Sequence, residues 1–151
     1  MARDAEGFEE FARSARPRLI GSFIGSHGTD APEAAAEALA YAWEHWGKVR
    51  SMENPVGYLF RVGQSRTRRR RVPELPPPGS VGMPDLEPRL IPALLALPES
   101  QRVAVWLVHA CEWRYAEVAE ALGTTTSTVG NHVSRALARL RGELEGVNAH
   151  D

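Results

Sequence analysis

The N-terminal part of the chain carries apolar residues at the three- and four-residue spacing of amphipathic α-helices. A first helix is predicted from Glu6 to Ile24, and Pro17 within it is expected to kink or divide the segment. Its apolar positions are Phe8, Phe11, Ala15, Leu19, Phe23 and Ile24. A second helix is predicted from Glu33 to Trp46, with Asp30 as its N-cap. Its predicted buried stripe is Leu39, Ala42, Trp43 and Trp46.

A third helix is predicted to open at Pro55, because proline suits the first turn of a helix. The positions predicted to face inward are Val56, Leu59, Phe60 and Gly63. Arginines cover the predicted exposed side and the end of this helix, namely Arg61, Arg66, Arg68, Arg69, Arg70 and Arg71. The three segments together predict a helical bundle with one strongly basic surface.

The stretch from Val72 to Pro92 has no convincing period and contains seven prolines. Such a composition favours an extended or irregular connector. The chain is therefore predicted to be all-α, with one helical domain over residues 1–71, a proline-rich linker over 72–92 and a second helical domain over 93–151. Two small domains on a tether are suited to contact two separated points on one partner.

The second domain is predicted to contain a supporting helix followed by a helical hairpin. Glu99 or Ser100 is expected to cap the supporting helix. Its predicted buried positions are Val103, Trp106, Leu107 and Ala110. The hairpin runs from Trp113 to Leu144, and Gly123 is expected to end its first helix in the left-handed conformation. That first helix places Tyr115, Val118, Ala119 and Leu122 on one face, and a hydroxyl residue within 124–127 is expected to cap the next helix.

The second helix of the hairpin has two unlike faces. Its predicted buried positions are Val129, Val133, Ala136, Leu137, Leu140 and Leu144. Its other face carries Ser127, Thr128, Asn131, His132, Arg135, Arg139 and Arg141. A recognition helix has this layout, since its N-terminal residues meet base edges in the major groove while basic residues meet phosphates. An ordinary helical hairpin is the alternative, but the lack of acids at the start of the helix favours a phosphate-bearing partner.

The formal charge of −1 argues at first against a nucleic-acid partner, but the charges are sorted along the chain. Residues 61–71 hold six of the 18 Lys and Arg residues and no acid, whereas residues 1–60 hold nine acids and six bases. The arginine run is therefore interpreted as a second nucleic-acid contact, in which each neutralised phosphate releases counterions. A solvated tail that complements the negative end of a helix is the alternative interpretation.

The cysteine content and the lack of membrane, metal and catalytic motifs restrict the functions that the sequence allows. The single cysteine, Cys111, excludes an internal disulfide and fits a reducing cytoplasm. No apolar run reaches the roughly 18 residues of a membrane span, and the acidic N-terminus is unlike a signal peptide. The side chains of His109, Cys111 and Glu112 would point in different directions around a helix, so neither a metal site nor a cofactor is predicted. No catalytic motif is present, so an enzyme is not expected.

These segments resemble a bacterial RNA polymerase sigma factor of the extracytoplasmic-function (ECF) type, which contains only the second and fourth sigma domains. The resemblance to the fourth domain rests on the opening Leu-Pro, Tyr-x-Glu-Val-Ala followed by Leu-Gly, and the closing Arg-Ala-x-x-Arg-Leu-Arg of LPESQRVAVWLVHACEWRYAEVAEALGTTTSTVGNHVSRALARLR. The helix by which the family binds the polymerase clamp is similar to DAPEAAAEALAYAW. The helix that reads the minus-10 promoter element is similar to NPVGYLFRVGQSRTRRRR.

The resemblance implies core RNA polymerase, promoter DNA and an anti-sigma protein as partners, and it implies roles for the matching residues. Asp30, Glu33 and Glu37 would bind the polymerase clamp, and the loop over residues 48–54 would capture an unpaired base. The minus-10 strand would lie along Tyr58, Arg61, Gln64, Ser65, Arg66, Arg68 and Arg69. The minus-35 duplex would be bound by Ser127, Thr128, Asn131, His132, Arg135 and Arg139, and Arg141 would contact the polymerase flap.

Several positions depart from the residues usual in this family. Pro32 replaces a frequent acid of the clamp helix, while Ser65 and Arg69 replace an asparagine and an aspartate of the minus-10 helix. Gly130 and His132 stand where long or cationic side chains are common in the recognition helix. Two alternatives therefore stay open: a sigma-like DNA-binding regulator that does not initiate transcription, and a helical module whose arginines serve only protein contacts.

Overall fold

The computed structural model of the protein describes residues 2–70 and 72–149, and helices account for most of that length. Arg71, predicted as part of the arginine run, lies outside the described residues. The first half contains α1 (Ala2–His27), a 3₁₀ turn (Gly28–Asp30), α2 (Ala31–Glu44), α3 (Trp46–Val49) and α4 (Pro55–Arg66). The second half contains α5 (Leu90–Ala96), α6 (Glu99–Val105), a π-helical turn (Trp106–Ala110), α7 (Tyr115–Leu122) and α8 (Thr126–Ala149). The all-α prediction is confirmed.

Helix α1 is continuous through Pro17, so the helix is not divided at that residue, one of the two outcomes predicted for it. Leu19, Phe23 and Ile24 are fully buried on the C-terminal side of the proline, and Ala15 is buried on the other side. Because α1 packs against both α2 and α4, tertiary contacts on each side of Pro17 compensate for the backbone hydrogen bond that proline removes.

Helix α2 turns a stripe of alanines inward, of which only Ala42 belonged to the predicted buried stripe; Leu39 and Trp46 of that prediction are partly buried against the core. The stripe, which lets α1 and α2 approach closely, consists of Ala31, Ala34, Ala35, Ala38 and Ala42. Trp43 was predicted to be buried but is 50% exposed, with its ring centroid 5.2 Å from that of Phe8. Asp30 was predicted to cap α2, yet its side chain makes no capping hydrogen bond and instead pairs with Arg70 Nε at 3.4 Å.

Helix α4 follows its prediction closely. The Asn54 side chain caps it by accepting a hydrogen bond from the Gly57 amide at 3.1 Å. The inward-facing residues Val56, Leu59, Phe60 and Gly63 are buried, as predicted. The helix ends at Arg66 and Thr67 is extended, so the arginines at 68–70 follow the helix rather than prolong it.

A buried histidine joins the end of α1 to the end of α4. The His27 ring nitrogens lie 2.8 Å from Ser26 Oγ and 2.7 Å from Thr67 Oγ1, and Gln64 Nε2 donates to Ser26 Oγ at 3.0 Å. Burial lowers the pKa of His27 from 6.5 to about 4; the Arg69 charge lowers it further and Asp30 opposes the shift. His27 is therefore neutral at pH 7 and fixes the point from which the arginine run departs.

The helical hairpin forms as predicted, with one difference at its first helix. Gly123 is left-handed (φ 68°), and Thr125 Oγ1 caps α8 by accepting from the Thr128 amide at 3.1 Å. Tyr115, predicted to share the apolar face of the first helix, is 42% exposed, and its ring lies 3.6 Å from where a Cβ on Gly130 would stand. The supporting helix α6 starts at Glu99 after Pro98, without the predicted side-chain cap.

The connector is irregular over residues 72–89, as its composition predicts, although α5 begins at Leu90, inside the predicted 72–92 linker. It lies along the first half rather than extending from it. The Thr29 amide donates to the Glu74 carbonyl at 2.7 Å. Gly82 passes so close to α1 that a Cβ there would lie 2.6 Å from the Gly21 nitrogen. The two halves consequently pack against each other, with α6 on α1 and α7 on α4. Among the described residues, no helix combines the length and the apolarity that crossing a membrane requires.

We expect Gly63→Ala to destabilise the protein by about 1–3 kcal/mol, because the new methyl group would overpack the core. Its Cβ would lie 2.3 Å from Cζ of the fully buried Phe23. The matched control is Gly142→Ala on the exposed side of α8, where the new methyl group meets nothing within 4 Å. That change should stabilise by up to about 1 kcal/mol. Urea unfolding followed by circular dichroism measures both; stabilisation by Gly63→Ala would contradict the packing described.

We expect stability to fall as the pH drops from 6.5 toward 4, partly through His27. In this window the unfolded histidine binds a proton that the folded one, with a pKa of about 4, does not. The loss reaches about 3 kcal/mol at its limit. His27→Gln, whose amide does not titrate, should show a shallower decline in unfolding free energy between pH 7 and 5. Parallel declines in both proteins would rule out His27 as the source.

Candidate nucleic-acid interface

The N-terminal half of α8 presents a polar row to solvent and an apolar row to the core. Val129, Val133 and Ala136 are fully buried, which fixes the rotation of the helix about its axis. The opposite side exposes Ser127, Asn131, Arg135 and Arg139, whereas Thr128 and His132 are half-buried. The predicted order of short polar groups first and cations later is thus presented on one accessible face of a helix, as readout in a major groove requires.

The second candidate surface lies on α4 and the residues after it. The exposed residues there are Arg61, Ser65, Arg66, Arg68, Arg69 and Arg70, and Tyr58 and Gln64 are half-buried beside them. Arg69 donates to both the Gln64 carbonyl at 3.1 Å and the Gln64 side-chain oxygen at 2.7 Å. These bonds hold the first part of the arginine run against the end of α4, so that the basic surface is continuous.

A cluster of aromatic rings and cations, which the sequence did not indicate, extends this basic surface onto α2. The Tyr41 and Tyr58 hydroxyls share a 2.9 Å hydrogen bond, and Lys48 Nζ donates to Tyr58 at 3.2 Å. The His45 ring stacks on Tyr41 with centroids 4.0 Å apart, and the Arg66 guanidinium lies 4.8 Å from the Tyr41 centroid. Tyr41 and His45 are one helical turn apart, which suggests a pair, but their position beside Tyr58 depends on how α2 packs on α4.

The cluster also alters the acidity of its members. The hydrogen bond from Tyr41, and then that from Lys48, lowers the pKa of the Tyr58 phenol. The same Tyr58 contact raises the pKa of Lys48 and of Tyr41 above their ordinary values. Lys48 therefore stays charged beside Tyr58, and the cluster combines flat rings with fixed positive charge.

The two candidate surfaces meet at an interdomain cleft of about 650 Å³. One wall consists of predicted minus-10 residues, namely Arg61, Gln64, Ser65 and Arg69. The other wall contains Glu99 at the start of α6, Thr124 after α7 and the predicted minus-35 residue His132. Arg69 Nε pairs with Glu99 at 3.0 Å, and Asn54 Nδ2 donates to Glu117 at 3.2 Å on the same side of the protein. His132 thus faces the cleft, whereas Ser127, Asn131, Arg135 and Arg139 lie on the open face of α8.

The residues predicted to bind polymerase occupy two separate places. Glu33 and Glu37 are exposed one turn apart on the outer side of α2, and Asp30 at the start of that helix is engaged by Arg70. Arg141 lies at an apolar groove of about 390 Å³ between α5, the π-helical turn and α8, lined mainly by leucines. The acids and the arginine therefore belong to different halves of the molecule.

Cys111 is a packing residue at the contact between the halves. Its thiol lies 3.6 Å from the Gly21 carbonyl oxygen, and burial raises its pKa to about 12. Over residues 2–70 and 72–149, no three His, Cys, Asp or Glu side chains are grouped so as to hold a metal ion.

Comparison with known proteins identifies the family of the chain. Residues 89–140 match the family described as "Sigma-70, region 4". The chain is 32% identical to the RNA polymerase sigma-E factor of Streptomyces antibioticus, in an alignment that covers 91% of this chain and 84% of the relative. The factor of the same name from Streptomyces coelicolor is 33% identical, with 91% and 85% covered.

Two solved structures share the fold. One is the sigma factor RpoE in complex with the anti-sigma factor NepR from Bartonella quintana, with a TM-score of 0.73, 22% identity, and 93% of this chain and 98% of that chain covered. The other is CnrH in complex with the cytosolic domain of CnrY, with a TM-score of 0.61, 19% identity, and 96% and 94% covered. The family match, the Streptomyces relatives and the all-α fold together confirm the resemblance seen in the sequence: the chain belongs to the ECF-type RNA polymerase sigma factors, which act in transcription initiation.

Proposed function

We propose that this sigma factor binds promoter DNA at two places, with α8 reading the minus-35 duplex and α4 binding the minus-10 strand. The polar row on α8 carries the proposal, because Ser127, Asn131, Arg135 and Arg139 are exposed on the face opposite a fully buried valine stripe. A helix held in this rotation can enter a major groove with its N-terminus first. The side chains that read bases then precede those that meet phosphates.

The residue types on α8 assign different tasks along the helix. Asn131 suits the paired donor and acceptor of adenine, and Arg135 suits the two acceptors of guanine. Arg139, one turn further on, serves the phosphate backbone. Thr128 and His132 are half-buried and contact DNA at the edge of the interface. The Tyr115 ring lies against the helix backbone at Gly130. Gly130 is therefore a packing position under Tyr115 rather than a point of close DNA approach.

The surface on α4 suits an opened strand better than a duplex. Single-stranded DNA is held by cations along its backbone and by aromatic rings on which its bases stack. Arg61, Arg66, Arg68 and Arg69 supply the cations, together with Gln64 and Ser65 as polar contacts. The Tyr58 ring and the stacked rings of Tyr41 and His45 supply the stacking platform, with Lys48 beside Tyr58 and Arg66 beside Tyr41.

Core polymerase binds, in this proposal, to both halves of the protein. Asp30, Glu33 and Glu37 contact the clamp, and Arg141 with the adjoining leucine-lined groove contacts the flap. Because RpoE and CnrH were solved as complexes with NepR and CnrY, we infer that an anti-sigma protein regulates this factor as well. The protein acts in the cytoplasm with the polymerase, as a regulatory factor without catalytic activity of its own.

Run-off transcription with Streptomyces core polymerase tests the proposal. The template is a DNA pool randomised at the two promoter elements, and the transcripts are sequenced. We expect transcripts that start downstream of one preferred pair of elements. Arg135→Ala should relax the preference at the minus-35 element at a cost of about 1–3 kcal/mol for the preferred base, whereas Glu145→Ala, also on α8, should not. DNA binding without any promoter-dependent transcript would refute the role in initiation.

The tyrosine platform gives a sharper expectation. Tyr41→Leu breaks the stack of Tyr41 and His45 that a base would extend, so the polymerase-bound factor should bind a minus-10 single strand about tenfold more weakly. Tyr41→Phe keeps the ring and loses only the hydroxyl that meets Tyr58, and it should bind nearly as well as the wild type. Fluorescence of a 2-aminopurine base in the strand reports both stacking and affinity. Unchanged affinity in Tyr41→Leu would exclude Tyr41 from the DNA surface.

A further inference from the structure

We propose that Ser26, a buried residue of α1, is a positioning residue for the minus-10 surface and acts through Gln64 and Arg69. The inference rests on the role of α4 proposed above and adds a residue outside the set predicted to contact the strand. Together with His27 and Thr67, these three residues form a chain of hydrogen bonds, here called the relay. The relay runs from the core to the first arginines after α4.

The direction of the relay is fixed at its buried end. The Thr67 hydroxyl donates its hydrogen to the Gly63 carbonyl, so its oxygen accepts from His27 Nε2 at 2.7 Å. A neutral histidine carries one ring hydrogen, and burial keeps His27 neutral at pH 7 by lowering its pKa. His27 Nδ1 is therefore an acceptor, and the Ser26 hydroxyl donates to it at 2.8 Å rather than to the Phe23 carbonyl at 3.4 Å.

The same direction determines which way the Gln64 amide faces. Because the Ser26 hydrogen is engaged by His27, the Ser26 oxygen accepts from Gln64 Nε2 at 3.0 Å. The Gln64 side-chain oxygen is then turned toward Arg69, whose Nη1 donates to it at 2.7 Å. A reversed amide would set its donors against the arginine and its oxygen against a serine that has no hydrogen left to give. Ser26 thereby selects one of the two orientations of the amide.

Arg69 needs this support because it lies beyond the end of α4. Thr67 is extended, and residues 67–70 are not helical, so no helical turn holds Arg69 in place. A long side chain loses conformational entropy when it binds a ligand, and the two bonds to Gln64 restrict Arg69 in advance. Its Nε pairs with Glu99, a partly exposed ion pair that contributes little. These contacts leave the two Nη2 hydrogens of Arg69 for a phosphate oxygen.

The relay also determines what Gln64 offers the strand. Its side-chain oxygen faces Arg69 and one amide hydrogen faces Ser26, so the other amide hydrogen is the group that remains. Gln64 therefore acts as a donor toward DNA, suited to an accepting oxygen or nitrogen of a base. Ser26 in this way makes both Gln64 and Arg69 donors toward a strand rich in accepting atoms.

Ser26→Ala removes the link between the core and Gln64, and Ser22→Ala is its matched control. Ser22 lies one turn earlier on α1, is also buried and donates to the Leu19 carbonyl at 2.8 Å, outside the relay. The probe is a fluorescent single strand of about 12 nucleotides that carries the minus-10 element preferred in the run-off pool. With core polymerase present, Ser26→Ala should bind the probe about fivefold more weakly than the wild type, and Ser22→Ala within about twofold of it.

Combination with Arg69→Ala distinguishes positioning from a merely structural role. In the Arg69→Ala background, Ser26→Ala should weaken binding by less than about twofold. In the background of Arg68→Ala, an exposed neighbour outside the relay, it should keep its full effect of about fivefold. The slope of log affinity against log salt concentration is a second readout. It should become shallower by up to about 0.7 in both Ser26→Ala and Arg69→Ala, and it should stay unchanged in Ser22→Ala.

Gln64→Met interrupts the relay at a half-buried position and decides the matter if Ser26→Ala fails to fold. It should weaken binding at least as much as Ser26→Ala, because it removes the acceptor of Arg69 as well as a donor to the strand. Its effect should be smaller in the Arg69→Ala background than alone. Equal effects in the two backgrounds would overturn the relay.

Urea unfolding of the free protein separates failure of the relay from failure of the role of α4. The losses of stability in Ser26→Ala and Gln64→Met should be less than additive in the double variant, since both changes break the same hydrogen bond. Additive losses, wild-type affinity in Ser26→Ala, or its full loss of affinity in the Arg69→Ala background would overturn the relay and leave the DNA-binding role of α4 standing. A wild type that does not bind the probe would overturn the role of α4 and, with it, the positioning function.

Discussion

Close approach to the backbone of α1 is the constraint on which the rest of the structure depends. Alanines of α2 pack against it on one side, and Gly63 of α4 admits the Phe23 ring on another. Gly25 admits Trp106 of the second half, and Gly21 admits the connector at Gly82. Because each approach needs a residue with little or no side chain, the positions of α4, α7 and the linker are all set by small residues on facing helices.

This constraint explains which features the sequence predicts and which it does not. The periodic large residues of α4 and α8 specify their buried faces correctly, since only one rotation of each helix buries Phe60 or Val133. The alanines of α2 are equally compatible with several rotations, and hydrophobicity alone favours burying Trp43. Close packing selects the alanine face instead and leaves Trp43 half exposed. Likewise, hydrophobicity favours burying Tyr115, whereas its actual place over Gly130 depends on how α7 packs on α8.

In the candidate site, too, some features follow from the sequence of one helix and others depend on how helices pack. Residues that act along one helix, such as Asn131 and Arg135, are evident from periodicity, because their spacing alone places them on one face. The cluster of Tyr41, His45 and Tyr58 needs two helices to meet, and the pairing of Arg69 with Glu99 needs the two halves to meet. The proline-rich composition of the linker predicts its irregular backbone but not its course, which depends on contacts such as that of Thr29 with Glu74.

The fold determines which of the charges sorted along the chain lie together on the surface. A net charge of −1 is a weak basis for binding DNA, yet the arginines at 61, 66 and 68–70 are exposed together on α4 and the residues after it. Glu99 of the second half pairs with Arg69, so a carboxylate neutralises part of the basic surface where the two halves touch, whereas Arg61, Arg66 and Arg68 are exposed to solvent. Local concentration of charge, rather than the net charge of the chain, therefore decides where a phosphate backbone is attracted.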